Sequence, residues 1–132
     1  MQSHRDLIVW QKGMQLVECA YHITKLLPKE ETYALSDQIR RAAISVPSNI
    51  AEGYGRGSNK DYAHFLSIAK GSVNELDTQI RAAIMLGFVD EKECDDVLAL
   101  CEECGKMLWV IIKCEFFLPV PLNGKFHSLK SA

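Results

Sequence analysis

Apolar residues recur at spacings of three and four along four segments of the chain, with short polar connections between them. Such spacing places the apolar side chains on one face of a helix. It predicts helices over residues 5–27, 59–86 and 90–113, and one that starts between 32 and 37 and ends at the glycines from 53 onward. No segment alternates with the period of a strand, so the chain is predicted to be all-α.

The connections between the four predicted segments are only a few residues long. Short connections favour antiparallel neighbours, so we predict an up-down-up-down four-helix bundle over residues 1–114. Ser58 with Asp61, and Asp90 with Glu93, have the spacing of capping boxes, and Gly87 is a predicted C-cap. Residues 115–132 contain two prolines and no helical period, and we expect an extended or loosely docked tail.

The first segment is apolar on more than one row. One row has the stripe of a packed bundle helix, and it consists of Leu7, Trp10, Met14, Val17, Tyr21 and Thr24. A second row widens the apolar face beyond what one neighbouring helix covers, and it consists of Leu16, Ala20, Ile23 and Leu27. Surplus apolar surface is typical of an interface, and the alternative is a monomer with a wide core.

The second segment carries Pro47 inside its helical pattern. The predicted inward stripe is Leu35, Ile39, Ala42, Ala43, Val46 and Ile50. Proline removes a backbone hydrogen bond and clashes with the carbonyl four residues before it, so it either kinks the helix or ends it. We favour one kinked helix because Ile50 stays in phase, and we expect Asn49 and Glu52 to form hydrogen bonds near the kink.

Two further strips lie beside the inward stripes and are candidates for an oligomer interface. The candidates are Arg40, Ile44, Pro47 and Ala51 on the second helix, and Ile68, Ala82 and Leu86 on the third. We therefore expect a homo-oligomer.

Composition indicates one soluble globular domain. The 132 residues are 48% hydrophobic and 24% charged. No apolar run is long enough to span a bilayer, and the N-terminal residues do not form a secretory signal, so we expect a cytoplasmic protein without a membrane partner.

The net charge of −2 conceals an asymmetry along the chain. Residues 1–60 carry a net charge of +2, whereas residues 88–115 carry −5. This asymmetry permits a basic face or head-to-tail subunit contacts. The candidate nucleic-acid contacts are Arg40, Arg41, Arg56, Lys60, Lys12 and Lys25. They form only a thin patch in one subunit, but a ring of subunits would repeat the patch around its symmetry axis. The alternative is that these charges are solvated or paired between subunits and bind no nucleic acid.

Reactive chemistry is sparse in the sequence. Cys94, Cys101 and Cys104 share one helix face and are either three zinc ligands or small buried hydrophobes, and we favour burial. The four histidines are scattered, and the glycines of GYGRGS lack the lysine of a phosphate-binding loop. We therefore predict no enzymatic activity, no catalytic residue, no metal and no cofactor.

Four blocks of the sequence resemble the family of 23S rRNA intervening-sequence proteins. The blocks are DLIVWQKGMQLV, LSDQIRRAAISVPSNIAEGYGR, HFLSIAKGSVNELDTQI and LGFVDEKE, and the second is the most specific. The resemblance implies a small bundle that assembles into a ring-like homo-oligomer, a pentamer, with no established enzymatic activity or cofactor. A related accessory protein of diversity-generating retroelements implies RNA or DNA as the leading partner class. Another protein is the alternative partner.

Overall fold

Four α-helices form the body of the protein. The computed structural model describes residues 3–117, and side chains over residues 3–115. The helices are α1 (Ile8–Thr24), α2 (Leu35–Gly55), α3 (Asn59–Met85) and α4 (Asp95–Phe117). Short 3-10 turns cover His4–Asp6, Lys29–Glu31 and Glu91–Cys94. The described residues contain no strand, which confirms the all-α four-helix bundle.

Helices α2 and α3 run in opposite directions. Ser45 of α2 bonds Ser72 of α3 at 2.8 Å, while Arg56 lies over the ring of Phe65, so α3 ascends as α2 descends. On the other side, Lys12 of α1 pairs with Glu103 of α4 at 3.1 Å. The main contacts are α1 with α2, α2 with α3, α3 with α4 and α4 with α1. The helices therefore follow one another around a square cross-section.

Among residues 3–115, the core is aliphatic apart from one fully buried aromatic ring, which belongs to Tyr62 near the start of α3. The largest fully buried side chains are Tyr62, Leu7, Leu16, Ile39, Ile50, Leu66, Leu76, Ile80, Leu108 and Ile111. The predicted inward stripe of α2 is buried except for Leu35, which is half-buried. Burial of this apolar surface is the main stabilising contribution.

The two apolar rows of α1 differ from the prediction. Leu16, Ala20, Ile23 and Leu27 form the buried row. In the row predicted to pack inward, Leu7 is buried, but Met14 and Tyr21 are exposed. The rows lie within one broad apolar arc, so the sequence identifies the arc without showing which part points at the bundle axis.

Helix α2 passes through Pro47 without ending. Pro47 lies inside the helix and is buried, and a Cβ added to Gly13 of α1 would lie 3.4 Å from its Cβ. The prediction of one helix rather than two is confirmed, and the kink stays a prediction. Asn49 donates to the carbonyl of Ser45 at 2.8 Å, whereas Glu52 is exposed and accepts from Arg56.

Local signals explain where the helices begin and end. The Ser58 hydroxyl accepts from the Asp61 amide, and the Asp90 amide donates to Glu93. After α3, the Gly87 amide donates to the carbonyl of Ile84 and the Phe88 amide to that of Ala83. This pair of bonds is a Schellman motif, and the φ of +80° at Gly87 suits glycine.

Helix α4 extends past the predicted end of the bundle. It continues to Phe117, three residues beyond the predicted boundary at 114. The first proline after it in the sequence is Pro119, and helices usually end before the residue that precedes proline. The predicted tail comprises residues 115–132. Its first three residues belong to α4, and residues 118–132 lie outside the described part.

Candidate subunit and nucleic-acid surfaces

The four sides of the bundle differ in character. Gly13 against Pro47 marks the side between α1 and α2, and Ser45 bonded to Ser72 marks the side between α2 and α3. Lys12 paired with Glu103 marks the side between α1 and α4. Successive residues of a helix are rotated by about 100° around its axis. The number of residues between a side chain and one of these markers therefore shows which side of the bundle it lies on.

The side between α1 and α2 carries six exposed or half-buried apolar residues. Helix α1 contributes Trp10, Met14, Val17 and Tyr21, and α2 contributes Ile44 and Ala51. Met14 is 45% exposed and Ile44 44% exposed, while buried Pro47 forms the floor between the helices. We call these six residues the α1/α2 surface. Contiguous exposed apolar residues of this kind mark interaction sites.

The predicted interface residues divide between two sides. Ile44 and Ala51 belong to the α1/α2 surface, and Arg40 lies at its edge. Pro47 is corrected: it is buried against α1 within its own subunit, because Gly13 leaves room for its ring. Ile68, Ala82 and Leu86 lie on the side between α2 and α3, in helical register with Ser72. They do not join the first group in one patch.

The side between α2 and α3 contains a polar cleft of about 350 Å³. It is lined by Gln38, Arg41, Ala42, Ser45, Glu75 and Gln79. The seam beneath it is also polar, because Ser45 bonds Ser72 and accepts from Asn49. Small and polar residues therefore replace the apolar contacts that a bundle seam usually has.

One wall of this cleft carries an unsatisfied acceptor. Gln79 is only 9% exposed, and its Oε1 is buried without a hydrogen-bond partner. Buried polar atoms normally have a partner, so such an atom requires an explanation. Glu75, one turn earlier on α3, is exposed and has no ion pair among residues 3–115. Gln79 and Glu75 both line the cleft.

The predicted nucleic-acid contacts do not converge in one subunit. Arg40 and Arg41 lie near the start of α2, whereas Arg56 and Lys60 flank the turn at its other end. Fifteen helical residues separate Arg41 from Arg56, a rise of about 22 Å. Lys12 lies on α1 facing α4, and Lys25 follows the end of α1.

Four of these six cations are engaged within the subunit. Arg41 pairs with Asp37 at 2.9 Å, Arg56 with Glu52 at 2.9 Å, and Lys12 with Glu103 at 3.1 Å. Arg40 donates to the Thr32 carbonyl at 2.9 Å. Within the described part of the chain, Lys25 and Lys60 have no ion pair. Exposed pairs of this kind contribute little stability.

A second concavity lies between α3 and α4, with a volume of about 840 Å³. Gly71 and Gly105 line it from the two helices, and a Cβ on either would meet open space. Of its three cations, Arg81 and Lys106 are each paired with an acid one turn away on the same helix, whereas Lys70 has no ion pair among residues 3–115. It therefore has the form of a groove without a concentrated charge.

The cysteines of α4 belong to the core. Cys94, Cys101 and Cys104 are buried in the stripe that faces the other helices. Burial raises the pKa of the Cys101 and Cys104 thiols to about 12, so these thiols stay protonated. Over residues 3–115, no three His, Cys, Asp or Glu side chains are arranged to hold a metal ion. The buried thiols behave as small hydrophobes.

Sequence reasoning identified surplus apolar surface on α1 but assigned the row of Met14 and Tyr21 to the interior, and it missed the buried acceptor of Gln79. Gln79 gave no signal, because the sequence does not show that its side chain is buried.

This fold defines a small all-α four-helix bundle, and the described helices include none able to cross a membrane. The sequence profile of the 23S rRNA-intervening sequence protein family matches residues 5–110, and the chain belongs to this family. A crystal structure from Bacteroides thetaiotaomicron, described as a protein of unknown function from the S23 ribosomal protein family, is similar to it. The two share 25% sequence identity with a TM-score of 0.75, over 80% of this chain and 99% of that chain. No curated protein sequence matches the chain.

Proposed function

We propose that the chain is a non-enzymatic, cytoplasmic homo-oligomer that acts as a binding or scaffolding module. The observation that carries the oligomer is the α1/α2 surface, where Met14, Tyr21 and Ile44 are exposed beside half-buried Trp10 and Val17. An apolar area of this extent on a soluble chain is covered by a partner, and a second copy is always present at the same concentration. The family resemblance implies five copies in a ring.

RNA or DNA is the leading partner class, bound without sequence specificity. In a ring with parallel bundles, the same end of every subunit lies on one rim. The turn between α2 and α3 places Arg56 and Lys60 at such an end, both exposed. One subunit has too few cations at this end, but repetition around the ring axis brings the cations of all subunits together. Neutralisation of phosphates by such cations supplies most of the affinity for nucleic acid.

Binding to a labelled single-stranded RNA tests this function. We expect affinity to fall steeply with salt, and replacement of both Arg56 and Lys60 by Gln to weaken binding. The slope against log salt should shrink by about 0.7 for each phosphate that the variant no longer neutralises. Arg81→Gln is a matched control, because Arg81 also pairs with an acid four residues earlier but lies near the other end of the bundle.

A protein partner is the second candidate function, favoured by the four candidate cations that are already engaged within the subunit. Contact through an apolar face depends little on salt. The nucleic-acid function would be rejected if the chain did not bind RNA, or if binding were unchanged by salt and by the double substitution. Binding of a protein partner would then be the remaining function.

A further inference from the structure

We propose that the cleft between α2 and α3 receives Arg40 from a second copy, whose α1/α2 surface packs against this side of the bundle. The inference rests on the proposed homo-oligomer and defines its contact surfaces. One side of each subunit supplies apolar side chains and a guanidinium. The neighbouring side supplies the acceptors.

The cleft lacks a donor that its chemistry requires. Gln79 Oε1 is buried without a hydrogen-bond partner, and the Glu75 carboxylate one turn away has no ion pair in its own subunit among residues 3–115. An amide oxygen beside a carboxylate suits a planar cation with several N–H groups. Arg41 at the rim is already neutralised by Asp37 at 2.9 Å. A second guanidinium or ammonium group would therefore complete the hydrogen bonding and charge of this site.

Arg40 meets this requirement in charge and position. The Arg40 side chain is 27% exposed, its Nη2 donates to the Thr32 carbonyl at 2.9 Å, and the same nitrogen lies 4.0 Å from Asp37 Oδ1. Asp37 also pairs with Arg41, so the two arginines share one carboxylate, and other N–H groups of Arg40 remain for a partner. Arg40 lies between Gln38 and Arg41 in sequence, so it sits at the height of the cleft. Arg40 is two helical turns before Pro47, so its position on α2 belongs to the strip on which Pro47 packs against Gly13 of α1. Copies related by rotation about an axis parallel to the bundle would bring Arg40 to the neighbour's cleft.

The angle between the two surfaces permits a closed ring. Adjacent sides of a square four-helix bundle face about 90° apart. A head-to-tail ring of five subunits requires about 108° between its two contact surfaces, whereas opposite sides would generate an open chain. Apolar residues complete the second surface, since Ile68 and Leu86 flank the polar cleft along α3 and are both exposed. The side between α2 and α3 is thereby assigned to assembly and not to phosphate binding.

Mixing two interface variants tests this arrangement by light scattering of the full chain. Ile44→Asp disables the α1/α2 surface, and Ile68→Asp disables the side between α2 and α3. Both side chains are exposed, so the helical fold is kept and circular dichroism verifies it. Each variant alone should run as single subunits, and an equimolar mixture should form a species of two subunits, because one intact contact remains. Val110→Asp, exposed on the side between α1 and α4, should keep the wild-type mass.

Gln79→Leu tests the acceptor itself. We expect the subunit dissociation constant to rise roughly tenfold to hundredfold, since a hydrogen bond to a charged group is removed. Stability toward unfolding should not fall, because a buried unsatisfied amide is removed. Gln15→Leu, an exposed glutamine on α1, is the control.

A mixture that stays as single subunits, or a Gln79→Leu chain with unchanged association, would overturn the inference while the oligomer stands. A wild-type chain that is itself a single subunit would overturn the proposed assembly as well.

Discussion

Replacing Gly53 by alanine is expected to lower the free energy of unfolding by about 2 kcal/mol. Gly53 is buried in α2 where the helix passes α3. A Cβ there would lie 2.7 Å from the Cβ of Phe65 and 3.3 Å from the backbone oxygen of Tyr62. Neither neighbour is the far end of a flexible side chain, so the two helices must separate. Overpacking of this kind costs about 1–3 kcal/mol, and the helix preference of alanine returns up to about 1 kcal/mol.

Gly55→Ala is the matched control in the same helix. No atom lies within 4 Å of a Cβ at Gly55, so alanine should leave stability unchanged or raise it by up to about 1 kcal/mol. Thermal unfolding at equal protein concentration should show a midpoint roughly 6–8 °C lower for Gly53→Ala. Equal midpoints for the two variants would mean that α2 and α3 are not in close contact at this level.

Glu115 is expected to make the bundle less stable as the pH rises above about 4.5. The residue is only 3% exposed, and both carboxylate oxygens are buried without a hydrogen-bond partner within the described part of the chain. Burial raises the pKa of Glu115 above its ordinary value of 4.5. Tyr62 lies close by, and burial first and the Glu115 charge second raise the pKa of its hydroxyl.

The direction of this change in stability with pH follows from proton binding. A raised folded-state pKa means that the folded chain holds the proton more tightly than the unfolded chain. The resulting stabilisation is complete below the unfolded pKa and is lost as the pH rises through the folded-state pKa. Glu115→Gln removes this titration. The stability of the wild type relative to Glu115→Gln should therefore fall across that interval.

Urea unfolding over a pH series measures this difference between the two chains. Glu18→Gln, at an exposed position on α1, controls for the change from carboxylate to amide. A wild type that gains stability relative to Glu115→Gln as the pH rises would show that the native state stabilises the ionised carboxylate.

The helices and most of the core were predictable because their signals are local. Ile39, Val46 and Ile50 keep one helical phase through Pro47, and Ser58 has a side chain suited to the start of α3. The capping pair Asp90 and Glu93 was also predictable, although it precedes a 3-10 turn rather than α4 itself.

The surfaces were less predictable because they depend on how the helices rotate about their axes. Met14 and Tyr21 satisfy the same helical period as Leu16 and Ile23, and only packing decides which row faces inward. The burial of Pro47 could not be predicted, because Gly13, thirty-four residues earlier, gives no sequence sign that it lies opposite.

The site chemistry required partners that are distant in sequence. The burial of the Gln79 oxygen depends on how α3 packs in the bundle, and the burial of Glu115 depends on how the end of α4 packs. By contrast, Asp37–Arg41 and Glu52–Arg56 are pairs at i and i+4, so their engagement followed from sequence spacing alone.

The mass of the full chain in solution, measured by light scattering at micromolar concentration, is the decisive test of the proposed assembly. We expect a defined oligomer of several subunits, five in the arrangement that the family resemblance implies, with no single subunits at this concentration. A single species of 14.8 kDa would contradict the assembly, because the α1/α2 surface would then be exposed without a partner.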